Sequence, residues 1–194
     1  MGIFKQGTTE FTKENAIATI ISAEDGSFSF AKVLHGSWVI REIESLKGFV
    51  LSEEEIPVTI GEVDEVVEIE LENYFIKGNI KLIKVDVDYS DNHLASTKFE
   101  VFADTNGDGK FDDKDELIGE LTELDGGIYQ MLDLRYGQYF VHEKTTPEGF
   151  ILDKEVYSVF IDEDGKTYKA ENKAGVGFIN IAAGWFIKNR QDIV

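Results

Sequence analysis

The sequence predicts an all-β protein built from two tandem β-sandwich modules, and three observations carry that prediction. Apolar residues alternate with polar ones at period two, the alternating runs are short and end at turn residues about every 8–12 positions, and the chain repeats itself. A shift of 101 residues sets Gly26-Ser27-Phe28-Ser29-Phe30 against Gly127-Ile128-Tyr129-Gln130-Met131. The same shift sets Gly36-Ser37-Trp38-Val39-Ile40-Arg41-Glu42 against Gly137-Gln138-Tyr139-Phe140-Val141-His142-Glu143, and Gly48-Phe49 against Gly149-Phe150. The match runs without a gap from Ile17 to Ile60.

Strands are read at Phe28/Phe30, Trp38/Ile40 and Ile56/Val58/Ile60, then at Tyr139/Val141 and Tyr157/Val159/Ile161. Val67/Ile69/Leu71 and Val176/Phe178 continue the alternation. Asp125-Gly126-Gly127, Pro147-Glu148-Gly149 and Asp164-Gly165 punctuate it. Thr12 to Ala18 is the one stretch that suits a helical turn. The second copy opens on a strand, Gly78 to Asp86, followed by a strand holding Phe99 and Val101. Ile3-Phe4 takes the place of that following strand in the first copy, so the first module lacks its first strand. The predicted organisation is a truncated module over 1–76, a complete one over 77–182, and a tail over 183–194.

The 194 residues hold 38 Asp and Glu against 19 Lys and Arg, a formal charge of −19. Such a surface repels phosphate, which argues against nucleic acid and anionic membrane partners. Fourteen Phe, seven Tyr and two Trp are too many large rings for a disordered acidic tail. With no cysteine, disulfides and thiol chemistry are excluded. His35, His93 and His142 are scattered and form no metal motif. No apolar run approaches the roughly 18 residues that span a bilayer. The N-terminus lacks the layout of a signal peptide, so the chain reads either as a cytoplasmic protein or as a piece of a longer exported one.

Strand alternation places three polar residues on inward faces: Lys84 after Ile80 and Leu82, Glu143 after Tyr139 and Val141, and Asn180 after Val176 and Phe178. A buried Lys or Glu costs several kcal/mol unless partnered, and these three could satisfy one another. Burial favours the uncharged amine, which is a nucleophile, and the uncharged acid, which can polarise an amide and carry protons. The plainer alternative is a surface Lys84, a loosely paired Glu143 and an Asn180 in a turn. Lys81, on the opposite face, competes with Lys84.

The segments Ile80-x-Leu82-x-Lys84-x-Asp86, Phe99-Glu100-Val101, Leu134-x-Tyr136-Gly137-x-Tyr139, Glu143-x-x-x-Pro147-Glu148-Gly149-Phe150 and Val176-x-Phe178-x-Asn180 resemble the collagen-adhesin B-type (CnaB, SpaA-like) domains of Gram-positive surface adhesins and pilins. The likeness covers residues 78–182 fully and 2–76 without the first strand. It favours the piece of an exported protein over the cytoplasmic reading. It implies an immunoglobulin-like, prealbumin-like sandwich and a spontaneous isopeptide bond, with Lys84 as nucleophile, Glu143 as acid/base and Asn180 as electrophile. No cofactor is implied for bond formation. In the first module Glu42 and Asn73 match Glu143 and Asn180, the lysine is missing, and Leu46 stands where Pro147 stands in the second. Phe186-x-Lys188 mimics Leu82-x-Lys84, so residues 184–192 could add as a strand to a first module, that of another chain included, offering Lys188 to Asn73; a linker is the plainer reading.

Between the second and third strands of the second module, Asp104-x-Asn106-x-Asp108-Gly109 has the spacing of an EF-hand calcium loop. Lys110 would give its carbonyl, and Asp112 and Asp115 would complete a structural calcium site. A solvated acidic hairpin loop is the alternative.

The function these readings imply is a stalk or spacer in a longer, extracellular, cell-wall-anchored adhesin or pilin, in contact with neighbouring modules. It is not an enzyme beyond one self-directed turnover. Two rival readings are a module that binds a host matrix protein or glycan without self-crosslinking, and a hydrolase using Glu143 in an open cleft.

Overall fold

The computed structural model describes residues 1–194 except 63–64, 87–88, 90, 169–170, 173–185 and 190–194; for 171–172 and 186–189 it describes the backbone. Among the described residues there are fourteen strands and no helix. The strands are β1 (Gly2–Lys5), β2 (Ala18–Thr19), β3 (Gly36–Arg41), β4 (Ile56–Ile60), β5 (Lys77–Asp86), β6 (Lys98–Ala103), β7 (Glu116–Glu120), β8 (Thr122–Asp125), β9 (Ile128–Arg135), β10 (Gly137–Thr145), β11 (Val156–Ile161), β12 (Thr167–Tyr168), β13 (Glu171–Asn172) and β14 (Phe186–Asn189). The chain divides into two compact units, Met1–Tyr74 and Phe75–Val194.

The second unit is a sandwich of two sheets, β13-β11-β10-β6-β7 and β12-β5-β9-β8, with β14 also on β5. Each inner face buries the apolar positions of the period-two pattern. Ile80 and Leu82 of β5 and Tyr129 of β9 meet Phe99 and Val101 of β6 and Val141 of β10, all fully buried. The Phe99 and Tyr129 rings pack edge to face at 5.1 Å. The Tyr139 hydroxyl donates to Arg135 O (2.9 Å), closing the corner where β9 passes to β10.

The first unit repeats half of this design. Its sheet runs β2-β1-β3-β4. Gly36 pairs with Ile60 and Ile40 with Ile56, as Gly137 pairs with Ile161 and Val141 with Tyr157. Ile3 faces Ile40 as Val101 faces Val141, which places β1 in the position of β6 as the sequence predicts. The Trp38 indole N–H donates to Leu34 O (2.9 Å), the counterpart of the tyrosine corner. Leu46 changes nothing in the turn that Pro147 occupies in the second unit. The Phe49 N–H donates to Leu46 O and the Phe150 N–H to Pro147 O, and Gly48 and Gly149 share a left-handed φ of 86° and 85°.

Two predicted strands of the first unit are not strands. Residues 27–34, the counterpart of β9, and the alternating Val67/Ile69/Leu71 stretch lie outside every ladder. In the second unit, β9 and β12 are both held by β5. Among the described residues of the first unit no strand stands in that place, so the two segments have alternation without a partner backbone. Thr12 to Ala18 makes one turn, Ala16 N–H to Thr12 O, and goes no further as a helix.

Gly127 tests the packing. Its φ is +80°, and a Cβ there would meet the Leu94 backbone at 2.8–3.0 Å. Gly127→Ala is expected to cost about 2–4 kcal/mol in chemical denaturation, from backbone strain and overpacking together. Gly165→Ala, with φ +71° but open space around the site, should lose only about 1 kcal/mol.

Candidate functional site

Lys84 and Glu143 come from facing sheets and meet inside the second unit. β5 carries Lys84 inward because it follows Ile80 and Leu82 at period two; β10 carries Glu143 inward after Tyr139 and Val141. The Lys84 Nζ lies 3.0 Å from Glu143 Oε2, and both side chains are fully buried. The Phe99 ring centroid is 5.7 Å from Nζ. Lys81 is half-buried on the other face, which decides between the two lysines.

Burial pushes the Lys84 ammonium down from the usual lysine range, and the Glu143 carboxylate opposes that push without reversing it. The site therefore favours an uncharged amine more than water does.

Glu143 is held in place. Its Oε2 also accepts the Asp153 N–H at 2.9 Å. Asp153 in turn accepts the Tyr157 hydroxyl through Oδ2. Burial first, and the Asp153 carboxylate second, raise the Tyr157 phenol well above its ordinary range, so it stays a donor. Asp153 and Tyr157 are positioning residues; strand alternation marks Tyr157 as an inward residue but gives neither of them this role. The repeat contains a signal for them: Glu42 Oε2 accepts the Ser52 N–H at 2.8 Å, the same bond 101 residues earlier. Asp86, fully buried two places beyond Lys84, continues the same inward row and is a further polar residue of this end of β5.

Asn180 lies outside the described residues. In the first unit Glu42 is half-buried and Asn73 exposed.

The tail is not where strand addition to a first module would put it. The backbone of β14 pairs parallel with β5 of its own chain, Ile187 beside Lys84 and Lys188 beside Val85. The physical reason is the edge of β5: among the described residues β12 pairs with Asn79 and Ile80 alone, and the rest of that edge offers backbone groups to a further strand.

The acidic loop joins β6 to β7 and turns its carboxylates toward its own backbone. Asp104 accepts the Gly107 and Gly109 N–H groups at 2.7 and 2.8 Å, Asn106 accepts that of Asp108, Asp108 that of Lys110, and Asp112 that of Lys114. Among the described residues no three acidic or histidine side chains converge as a metal-binding group. One feature does fit a cation: Asp115 Oδ1 is buried without a hydrogen-bond partner, while its Oδ2 accepts the Asp112 N–H. Phe111 anchors the loop on the outer sheet face, 5.0 Å from the Phe102 ring and 5.7 Å from His142. His142 is on the outer face, as alternation requires, and is half-buried there beside Glu100 at 3.1 Å.

The family model described as SpaA, prealbumin-like fold domain, matches residues 1–74 and 78–174. The chain belongs to this family. Among solved structures, the Bacillus anthracis TIE protein matches with a TM-score of 0.69 at 19% identity, over 88% of this chain and 28% of that one. GBS52, the minor pilin of Streptococcus agalactiae, matches at 18% identity and TM-score 0.42, over 99% of this chain and 82% of that one. The pilus adhesin RrgA of Streptococcus pneumoniae matches at 17% identity and TM-score 0.48, over 72% of this chain and 18% of that one. The likeness to the TIE protein shows the fold, and this chain spans under a third of that protein's length. The search of curated proteins finds no match.

A variant that keeps the Lys84–Glu143 pair but lacks Asn180, the electrophile the resemblance implies, isolates the electrostatics. In Asn180→Ala, a Lys84 pKa lower in the folded than in the unfolded state means that the unfolded chain binds more protons between the two values. Stability should then rise with pH through that window. Melting temperatures from about pH 7 to about 9.5 should climb more steeply for Asn180→Ala than for the same chain also carrying Lys84→Met; parallel slopes would count against a depressed lysine.

Proposed function

We propose that this protein is a structural segment of a cell-surface adhesin or pilin-like stalk whose second unit closes itself with an amide between Lys84 and Asn180. The observation that carries this reading is the fully buried Lys84–Glu143 pair at 3.0 Å. An ion pair kept dry in this way is weak evidence for stability, since desolvation offsets much of the attraction. It suits a reaction instead. The uncharged Lys84 Nζ attacks Cγ of Asn180; the new C–N bond forms as the Cγ–Nδ2 bond breaks and ammonia leaves. Glu143 takes the proton from nitrogen and delivers it to the leaving group. The fold holds the reactants at high effective concentration, so no second protein is needed. The reaction happens once and leaves no free catalyst.

The role follows from the product. A covalent tie from β5 to the end of the unit protects the sandwich from unfolding and proteases, which a spacer between a wall and a tip requires. Neighbouring modules of the same surface protein are the expected partners. Full burial of Glu143 argues against the hydrolase reading, because that reading needs a cleft open to substrate.

Intact mass tests the bond. The purified chain should weigh one ammonia less than its sequence, and Lys84→Ala, Glu143→Gln and Asn180→Ala should each restore the full mass. A full-mass, folded wild-type chain would overturn the proposal.

We also propose that the β6–β7 loop takes a structural calcium ion, on the strength of the orphaned Asp115 Oδ1 and the loop's calcium-type spacing, with Asp104, Asn106, Asp108, the Lys110 carbonyl and Asp112 as the other ligands. Millimolar calcium should raise the melting temperature by a few degrees, roughly 1 kcal/mol of linkage, and Asp115→Ala should remove the rise. No shift in the wild-type chain would leave the loop as a self-bonded hairpin.

A further inference from the structure

Asn106-Gly107, in the loop from β6 to β7, is the chain's one Asn-Gly pair, and the loop places around it the parts of an acyl-transfer site. The nucleophile is the backbone nitrogen of Gly107. Its N–H donates to Asp104 Oδ1 at 2.7 Å, which puts a carboxylate where a base must take the proton. The electrophile is the Asn106 carboxamide. Its Oδ1 accepts the Asp108 N–H at 3.0 Å, which folds the side chain back over its own backbone and sets a donor on the oxygen where negative charge develops. Asp104 is itself fixed by a second bond, from the Gly109 N–H to Oδ2 at 2.8 Å. Gly107 has no side chain to screen its nitrogen; its φ is +71°, and a Cβ there would meet nothing within 4 Å.

We propose that Asn106 is a self-modification site, at which Asp104 assists the closure of a succinimide ring. The proton passes from Gly107 N to the Asp104 carboxylate. The bond from Gly107 N to Asn106 Cγ forms as the Cγ–Nδ2 bond breaks, and ammonia leaves with the proton. Asn106 is exposed, so ammonia departs into solvent. Water then opens the ring at either carbonyl and leaves an aspartyl or an isoaspartyl residue at position 106. Either product adds one negative charge to the formal −19. The aspartyl form keeps the loop's backbone and puts a carboxylate at the third position of the calcium-type spacing, which takes Asp as well as Asn. The isoaspartyl form lengthens the loop's backbone by one carbon. The reaction uses neither Lys84 nor a bound cation, so it stands apart from the amide and from the calcium ion.

The full chain is incubated for days with EDTA, digested with trypsin, and read at the peptide Phe99–Lys110, in which Asn106 is the sole carboxamide. That peptide should become heavier by one mass unit and split into two forms on reversed-phase chromatography, and in Asn106→Gln it should stay unchanged. The folded chain should convert about a hundredfold faster than a synthetic peptide of residues 99–110, the low end of what a positioned base contributes. Asp104→Ser still accepts a hydrogen bond but is a far weaker base, and should fall back to the rate of the free peptide. The proposal is overturned by a wild-type chain that gains no mass, by one that converts no faster than the free peptide, or by Asp104→Ser reacting as fast as wild type; the last two would make the Asp104 bond a lock on the loop. The ring weighs one ammonia less, as the Lys84–Asn180 amide does. Its loss depends on Asn106 and gives way to the gain, whereas the loss from the amide depends on Lys84 and persists, so either proposal can fail without the other.

Discussion

The fully buried contact between Lys84 and Glu143 constrains everything around it. Two ionisable groups without water need partners at fixed distance, and the sandwich supplies them through alternation alone. β5 and β10 each spend their last inward positions on a polar residue after a row of apolar ones. The Asp153 N–H and, behind it, the Tyr157 hydroxyl hold the carboxyl in one orientation. A lone ammonium in this position would be a large penalty; Glu143 offsets part of it, while burial leaves the Lys84 proton more loosely held than in water.

The repeat separates what the fold needs from what the chemistry needs. Both units keep the corner bond from an aromatic donor to the carbonyl four residues earlier, the turn with a left-handed glycine, and the carboxylate clasped by a backbone N–H ten residues on. These features survive in the first unit although no lysine faces Glu42 among its described residues. The clasp is therefore a property of the scaffold, and what the second unit adds is the strand that brings the Lys84 amine to it.

Much of this was legible from residues. Period two marked the strands around Trp38, Val58, Tyr139 and Val159, and the shift of 101 residues set their common register, because register depends on which face is apolar. Lys84 and Glu143 were legible for the same reason: each ends an apolar row. What alternation cannot report is whether a neighbour exists. Phe28/Phe30 and Val67/Ile69/Leu71 have the pattern of strands and lack the ladder, since β-structure is made by pairs. β8 was invisible because all four of its residues are exposed and show no alternation. β14 was read as a tail because its partner edge on β5 is a tertiary fact. Asp153 and Ser52 act through backbone N–H groups, which no side-chain pattern encodes.

The parallel run of β14 beside β5 has a mechanical meaning. Parallel neighbours have their starts at one end and their finishes at the other. A tension applied at the start of β5 and the finish of β14 pulls the two strands lengthwise past each other. Their hydrogen bonds are then strained all at once, where an antiparallel hairpin pulled at its open ends would unzip them one by one. The second unit meets traction along the grain of its sheet, before any covalent seam is considered.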